Sequence, residues 1–392
     1  MNSSKTPGRL SDPTRRTLLK SAGVLVGASA LASSMPVRAS NMSSESTPTS
    51  GRGGGSAATP INKPMVGFML AHEQFPVPEL VQLGVAAEQA GFDLLATSDH
   101  LQPWQANEGH SGEAWVTMSA IGARTRRVWI GPTVTCPSFR YNPAVVAEAF
   151  SSLSLLYPGR IFLGVGSGEA LNEQAAIGSW PKWPERSARL VEATEIIRKL
   201  WTGDQVAHDG KYYNVNAKLY DPPAAPIPLL MAANVGPKAM YRSGKFGDGL
   251  VTDPLTWKQH KAEFEKGAKD AGKDPKQMPV LVELFVVVGD ENEAKTSAEL
   301  WRFLPNAFKS YYNIRDPQKI QNKATADLPL QKVYANWPIS TNPDAHVKAL
   351  IEQFDSGATI VNVHSGQADQ KHVIEFYGKH VLPRVHEHLK EA

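Results

Sequence analysis

The stretch "GFDLLATSDHLQPWQANEGH", residues 91–110, decides the fold. Its first part, Leu94 to Thr97, is apolar without alternation, as in a parallel strand buried on both faces. The preceding "VPELVQLGVAAEQAG", 77–91, has helical spacing and stops on Gly91, a residue suited to a helix C-terminus. Directly after the strand come Ser98, Asp99 and His100, then Trp104 and His110. In α/β barrels the chemistry sits at the C-terminal strand ends, so this abrupt change reads as part of a site.

The same unit repeats outward from this point. Strands are expected at 65–70, 94–99, 128–134, 161–168, 228–233, 249–252, 282–289 and 359–365, with helical segments between them. Alternating strands and helices imply parallel pairing, and eight units imply a (β/α)8 TIM barrel of the α/β class. An open doubly wound sheet competes, but no glycine-rich dinucleotide fingerprint follows the first strand. Two insertions interrupt the repeat: 206–223, a hairpin with its turn at Asp209-Gly210, and 306–340, long enough for a lid.

Composition is that of an ordinary globular chain, with 42% hydrophobic and 20% charged residues. The net charge of +3 is carried by the N-terminus, where Lys5, Arg9, Arg15, Arg16, Lys20 and Arg38 face Asp12 alone. The remainder is slightly acidic, which argues against nucleic acid as a partner. One cysteine, Cys136, excludes an intramolecular disulfide, a Cys-rich zinc site and an iron–sulfur cluster. No His/Asp/Glu spacing reads as a metal site, so no metal is expected.

"TRRTLLK" at 14–20, the small apolar run after it and Val37-Arg38-Ala39 form the pattern of a twin-arginine export signal over 1–39. Partnership with the twin-arginine export machinery and a place in the cell envelope, or a periplasm-like space, are expected. That route carries folded proteins, which hints at a cofactor loaded before transport. Residues 40–62, rich in Ser, Gly, Thr and Pro at their start, read as a flexible linker, and 63–392 as the catalytic domain.

The strand ends supply His72 and Glu73, then Asp99, His100 and Trp104, then Thr133, Val134 and Cys136, then Ser167, Gly168, Glu169 and Asn172. A histidine among carboxylates can perform acid–base work near neutral pH. Glu169 has an alternative reading, a carboxylate offsetting a helix dipole. "AANVGPKA" after the fifth strand could bind a phosphate on helix-opening amides.

"SDHLQPW", "FRYNPAVVAEAF", "YPGRIFLGVGSGEALNE" and "LWTGD" together resemble the F420-dependent glucose-6-phosphate dehydrogenase branch of the bacterial-luciferase-like superfamily. The resemblance spans nearly all of 63–390 and implies coenzyme F420 as cofactor. It implies His100 as base on a substrate hydroxyl, Glu169 as acid near the deazaflavin N1, and Trp104 and Glu73 as steadying groups. It puts Asp99, Thr133, Val134, Cys136, Ser167, Gly168 and Asn172 against the cofactor, and the backbone of Ala232, Ala233, Asn234, Val235 and Gly236 around its phosphate. A cis peptide is implied at Thr133-Val134. The four sugar-phosphate contacts of that branch correspond here to Thr252, Leu255, Lys323 and Asn336, so two of three cations are missing and glucose 6-phosphate is disfavoured.

The expectation is therefore an exported oxidoreductase that oxidises a secondary alcohol of a lipid or other hydrophobic molecule, hydroxymycolic to ketomycolic acid above all. "FLPNAFKSYYNI", 303–314, supplies aromatic groups to cover a greasy substrate or to pack a lid. The alternatives are an FMN-dependent monooxygenase of the same superfamily and a lipid-binding protein on a retired barrel. A homodimer is left open.

Overall fold

The computed structural model describes residues 60–391, so the expected signal and most of the expected linker lie outside the described residues. Ten strands follow in chain order: β1 Met65–Leu70, β2 Leu94–Thr97, β3 Trp129–Pro132, β4 Leu163–Val165, β5 Val206–Asp209, β6 Asn214–Ala217, β7 Leu229–Ala232, β8 Gly249–Thr252, β9 Val280–Phe285 and β10 Ile360–His364. Eight of them pair in parallel in the order β3-β2-β1-β10-β9-β8-β7-β4. The two ends meet through bridges Ile130–Ile161 and Thr135–Val165, which closes the barrel. All eight expected barrel strands are present.

The closing seam is the place where observed strands are shortest. Pro132 has no N–H to donate, so the β3–β4 ladder breaks there into separate bridges. The chains also approach closely: a Cβ on Gly164 would collide with the Pro132 carbonyl oxygen. The Thr133-Val134 peptide in this seam is cis, as the resemblance implies.

Strand periodicity divides the core. In β1, Met65 and Met69 point into the barrel, whereas Val66, Phe68 and Leu70 face the outer helices. Ile61, near the end of the expected linker, packs against the barrel interior.

The helices are α1 Val77–Ala90, α2 Ala114–Gly122, α3 Pro143–Leu156, α4 Glu173–Ile177, α5 Trp183–Trp201, α6 Pro237–Phe246, α7 Pro254–Asp270, α8 Glu291–Leu300, α9 Pro317–Asp327, α10 Leu330–Val333, α11 Pro343–Asp355, α12 Gln370–Phe376 and α13 Leu382–Glu391. Their starts are specified locally: Asn142, Asp253, Asp290, Asp316 and Asn342 each accept first-turn backbone N–H groups. Among the described residues no helix is long and apolar enough to cross a membrane.

The first insertion is an antiparallel hairpin, β5–β6. Its turn lies at Lys211-Tyr212, two residues past the expected position, because the Glu192 carboxylate accepts the Tyr212 and Tyr213 N–H groups. The second insertion is helical. It carries a π-turn at Ala307–Tyr311, then α9 and α10, and its Tyr311 and Ile320 are buried in a separate apolar cluster with Trp104 and with Phe303, which lies just before the insertion. The lid is tied to the rim by the Ala170 N–H to the Tyr312 carbonyl and by Gln105 to Phe303.

Candidate active site

A cavity of about 480 Å³ opens at the C-terminal end of the barrel, under the lid. It brings together Glu73, His100, Trp104, Thr133, Val134, Ser167, Gly168, Glu169, the segment Ala232–Gly236 and Thr252. These expected residues come from strand ends far apart in sequence.

Asn172 organises the reactive groups from behind the cavity wall. Its Oδ1 accepts the backbone N–H of Leu101 at 2.8 Å and of Gln102 at 3.3 Å, which fixes the orientation of the amide. Its Nδ2 therefore donates to His100 Nδ1 at 3.0 Å and to Glu169 Oε2 at 3.3 Å. With Nδ1 accepting, neutral His100 carries its proton on Nε2, which faces Glu73 Oε1 at 3.5 Å. The other Glu73 oxygen accepts from Ser98 Oγ, and the Ser98 hydroxyl in turn receives the His72 N–H. Glu73 and His100 thus form a buried pair with a defined proton position.

Glu169 lies where solvation is poor, and that desolvation raises its pKa above the ordinary carboxylate range despite the nearby His100 and Asn172. Trp104 stacks on Phe303 of the lid with centroids 4.8 Å apart, meets Phe308 edge-on at 5.8 Å, and sits 5.8 Å from the His100 ring. It is at once a wall of the cavity and the anchor of the lid.

Other expected residues are structural. Asp99 is saturated by Arg140, Thr135 and Tyr141 and does not reach the cavity. Cys136 is buried beneath Gly168, where an added Cβ would lie 2.8 Å from its sulfur. Burial pushes its thiol pKa up, so it is no reactive thiolate. His72 is a core histidine held by Thr117 and the Leu70 carbonyl, with its pKa lowered by burial.

Three of the four expected substrate contacts also stand away from the cavity. Leu255 is 57% exposed in the first turn of α7. Lys323 is held by Asp327, one helical turn away on α9, at 2.9 Å. Asn336 is exposed beyond α10. The helical course of the lid carries Lys323 and Asn336 outward. Thr252 does line the cavity, with its hydroxyl donating to the Ala233 carbonyl.

Several cavity residues were missed by the sequence reading. Arg186 on α5 and Arg242 on α6 are buried, and neither joins an ion pair among the described residues. Their Nε atoms have no partner. Burial lowers the Arg242 guanidinium to about 10, which leaves it charged at neutrality. Both arginines line the same cavity as the N-terminus of α6, begun by Gly236 and Pro237, and groups of these kinds favour an anion. Their helical periodicity hid them. Glu283 and His364 also line the cavity, and a charged or titratable residue inside an apolar strand run was the signal available.

Residues 55–359 match the luciferase-like monooxygenase family. The F420-dependent hydroxymycolic acid dehydrogenase of Mycobacterium tuberculosis is 44% identical over 345 residues, covering 86% of this chain and 94% of that protein. The F420-dependent glucose-6-phosphate dehydrogenase of Gordonia bronchialis is 38% identical over 329 residues, covering 82% of this chain and 97% of that protein. Among solved structures, an F420-dependent secondary alcohol dehydrogenase in complex with an F420-acetone adduct superposes with a TM-score of 0.78 at 32% identity, covering 82% of this chain and 99% of that one.

Proposed function

The chain belongs to the luciferase-like monooxygenase family, in its F420-dependent dehydrogenase branch, and from that premise we infer that it oxidises a secondary alcohol on a hydrophobic molecule using coenzyme F420. The observation that carries the reading is the polarity of the cavity. One end offers buried Arg186, Arg242 and the α6 N-terminus to an anion; the other offers the His100–Glu73 pair beneath Trp104, Phe303 and Phe308.

The residues present fit the cofactor. Unpartnered Nε atoms on two buried guanidiniums suit its phosphate, and Thr133, Val134, Gly166, Ser167 and Gly168 form a wall of small side chains and bare backbone that a flat ring can approach. When bound, the deazaflavin supplies the hydride acceptor at C5. Glu169, with its raised pKa, holds a proton for the reduced ring.

The fixed Asn172 amide refines the proton acceptor. His100 has its proton on Nε2 and its lone pair engaged, so Glu73 is the member of the pair that receives the hydroxyl proton. His100 donates a hydrogen bond to the same locus and steadies the charge. The resemblance alone would give the base role to His100.

Similarity to the hydroxymycolic acid enzyme and the aromatic lid support a lipid alcohol, hydroxymycolic to ketomycolic acid, as the reaction. Arg15-Arg16 and the apolar run after them support twin-arginine export to the cell envelope. Replacement of both arginines by lysine is expected to retain the protein inside the cell. Glu169→Gln and His100→Ala, folded and still binding cofactor, are expected to lose at least about 100-fold in turnover. Near-normal turnover in both would overturn the assignment.

A further inference from the structure

On β10 and β9, the strands that follow β1 in the barrel order, the cavity holds a second histidine–carboxylate pair. His364, the last residue of β10, and Glu283, in the middle of β9, are joined by Nδ1 and Oε1 at 2.7 Å. The imidazole ring is clamped. It stacks on Phe285 with centroids 4.0 Å apart and meets Trp301 edge-to-face at 4.4 Å. Its side chain is 1% exposed, yet Nε2 has no hydrogen-bond partner. Buried polar atoms in native structures are nearly always paired, so an orphan in the wall of a binding cavity points to a ligand.

Strand order assigns the ligand. The anion site and the expected ring contacts lie on β3, β4 and β7 with α5 and α6, whereas β8, β9, β10, β1 and β2 form the opposite arc. His364 and Glu283 belong to that arc, with Glu73 and His100. The surroundings there, Trp104, Trp301, Phe303, Leu304 and Phe308, are apolar or aromatic. A substrate with one hydroxyl and otherwise only hydrocarbon would satisfy Glu73 and His100 and leave His364 buried without a partner.

The pair also fixes the chemistry of that partner. A Glu283 carboxylate accepts from Nδ1–H, so Nε2 of neutral His364 is an acceptor and takes a hydroxyl proton in a hydrogen bond. We propose that His364, oriented by Glu283, binds a second hydroxyl of the substrate, so that the preferred substrates are hydrophobic diols of which one hydroxyl is oxidised. The proposal rests on the dehydrogenase reading for the site that it extends.

The test compares 2-dodecanol with dodecanediols that carry a second hydroxyl two to five carbons from the first, using the F420-loaded enzyme. Both kcat/KM and equilibrium binding, followed by tryptophan fluorescence, are read. At least one diol is expected to exceed 2-dodecanol by tenfold or more in the native enzyme. In His364→Phe, which keeps an aromatic ring between Phe285 and Trp301, that ratio is expected to fall to about one, through KM. His364→Asn, with an acceptor oxygen, is expected to restore part of it. A native enzyme without diol preference in turnover or binding overturns the proposal, as does an equal loss for both alcohols in His364→Phe. Diol-selective binding without oxidation of any alcohol would count against the dehydrogenase reading and leave the subsite standing.

Discussion

Replacing Asn172 by alanine tests the arrangement of the reactive groups. The side chain is 1% exposed and its amide makes four hydrogen bonds, to Leu101, Gln102, His100 and Glu169. Each buried group left without a partner costs about 1–3 kcal/mol, and a water entering the vacated volume recovers part of this. The net loss is therefore about 2–4 kcal/mol, read as a shift in the urea midpoint at constant slope. Fixing the His100 ring contributes about 1.4–2.7 kcal/mol to the reaction barrier, equivalent to about 10–100-fold in kcat. Because Asn172 lies behind the wall, cofactor affinity should change by less than about threefold. Stopped-flow reduction of the cofactor and a separate fluorescence titration distinguish the two effects. A large loss of cofactor affinity with kcat intact would refute the reasoning and make Asn172 a direct cofactor contact.

Other expected outcomes follow from single groups. Burial raises Glu173 from 4.5 to about 8, so the folded state keeps a proton that the unfolded chain releases; its stabilising effect is complete below 4.5 and is lost as pH rises to about 8, at up to about 1.4 kcal/mol per pH unit. Glu173→Gln should flatten that slope in denaturation measured between pH 5 and 8.5, and an unchanged slope would count against it. Arg242→Met should weaken binding of the phosphate-bearing cofactor by about 10–100-fold, with a shallower salt dependence, and leave a phosphate-free deazaflavin within about threefold by titration. Lys323→Ala, which breaks only an exposed pair with Asp327, should keep kcat/KM within about twofold in steady-state assays. In the direction of alcohol oxidation, kcat should fall as pH rises through the raised Glu169 pKa, and Glu169→Gln should remove that limb from the profile.

The barrel was legible because its strands are continuous apolar runs, and a strand buried on both faces has few other readings. The strand ends after β1 to β4 were legible for the same reason: polar clusters such as 98–100 break the apolar pattern where a rim must lie. The hairpin turn was misplaced because a tertiary contact, Glu192 on α5, selects it over the local Asp-Gly signal. Lid positions such as Lys323 and Asn336 were beyond reach, since a motif match fixes a place in the chain and the helical path of α9 and α10 decides which way it faces. Arg186 and Arg242 look like ordinary amphipathic helix residues until three dimensions show them buried in the cavity wall, with no ion pair to either among the described residues. Glu283 and His364 carried a readable anomaly, polar residues in apolar strands, whose meaning depends on the cavity that they line.

The central claim is tested most directly by titrating the chain lacking residues 1–39 with oxidised coenzyme F420 and, separately, FMN, then adding a long-chain secondary alcohol. Trp104, Trp183 and Trp301 border the cavity and report occupancy by fluorescence. Micromolar or tighter quenching by F420 but not FMN, followed by loss of the oxidised deazaflavin absorbance on addition of alcohol, is the predicted result. Binding of FMN in preference to F420, or binding of neither, would contradict it.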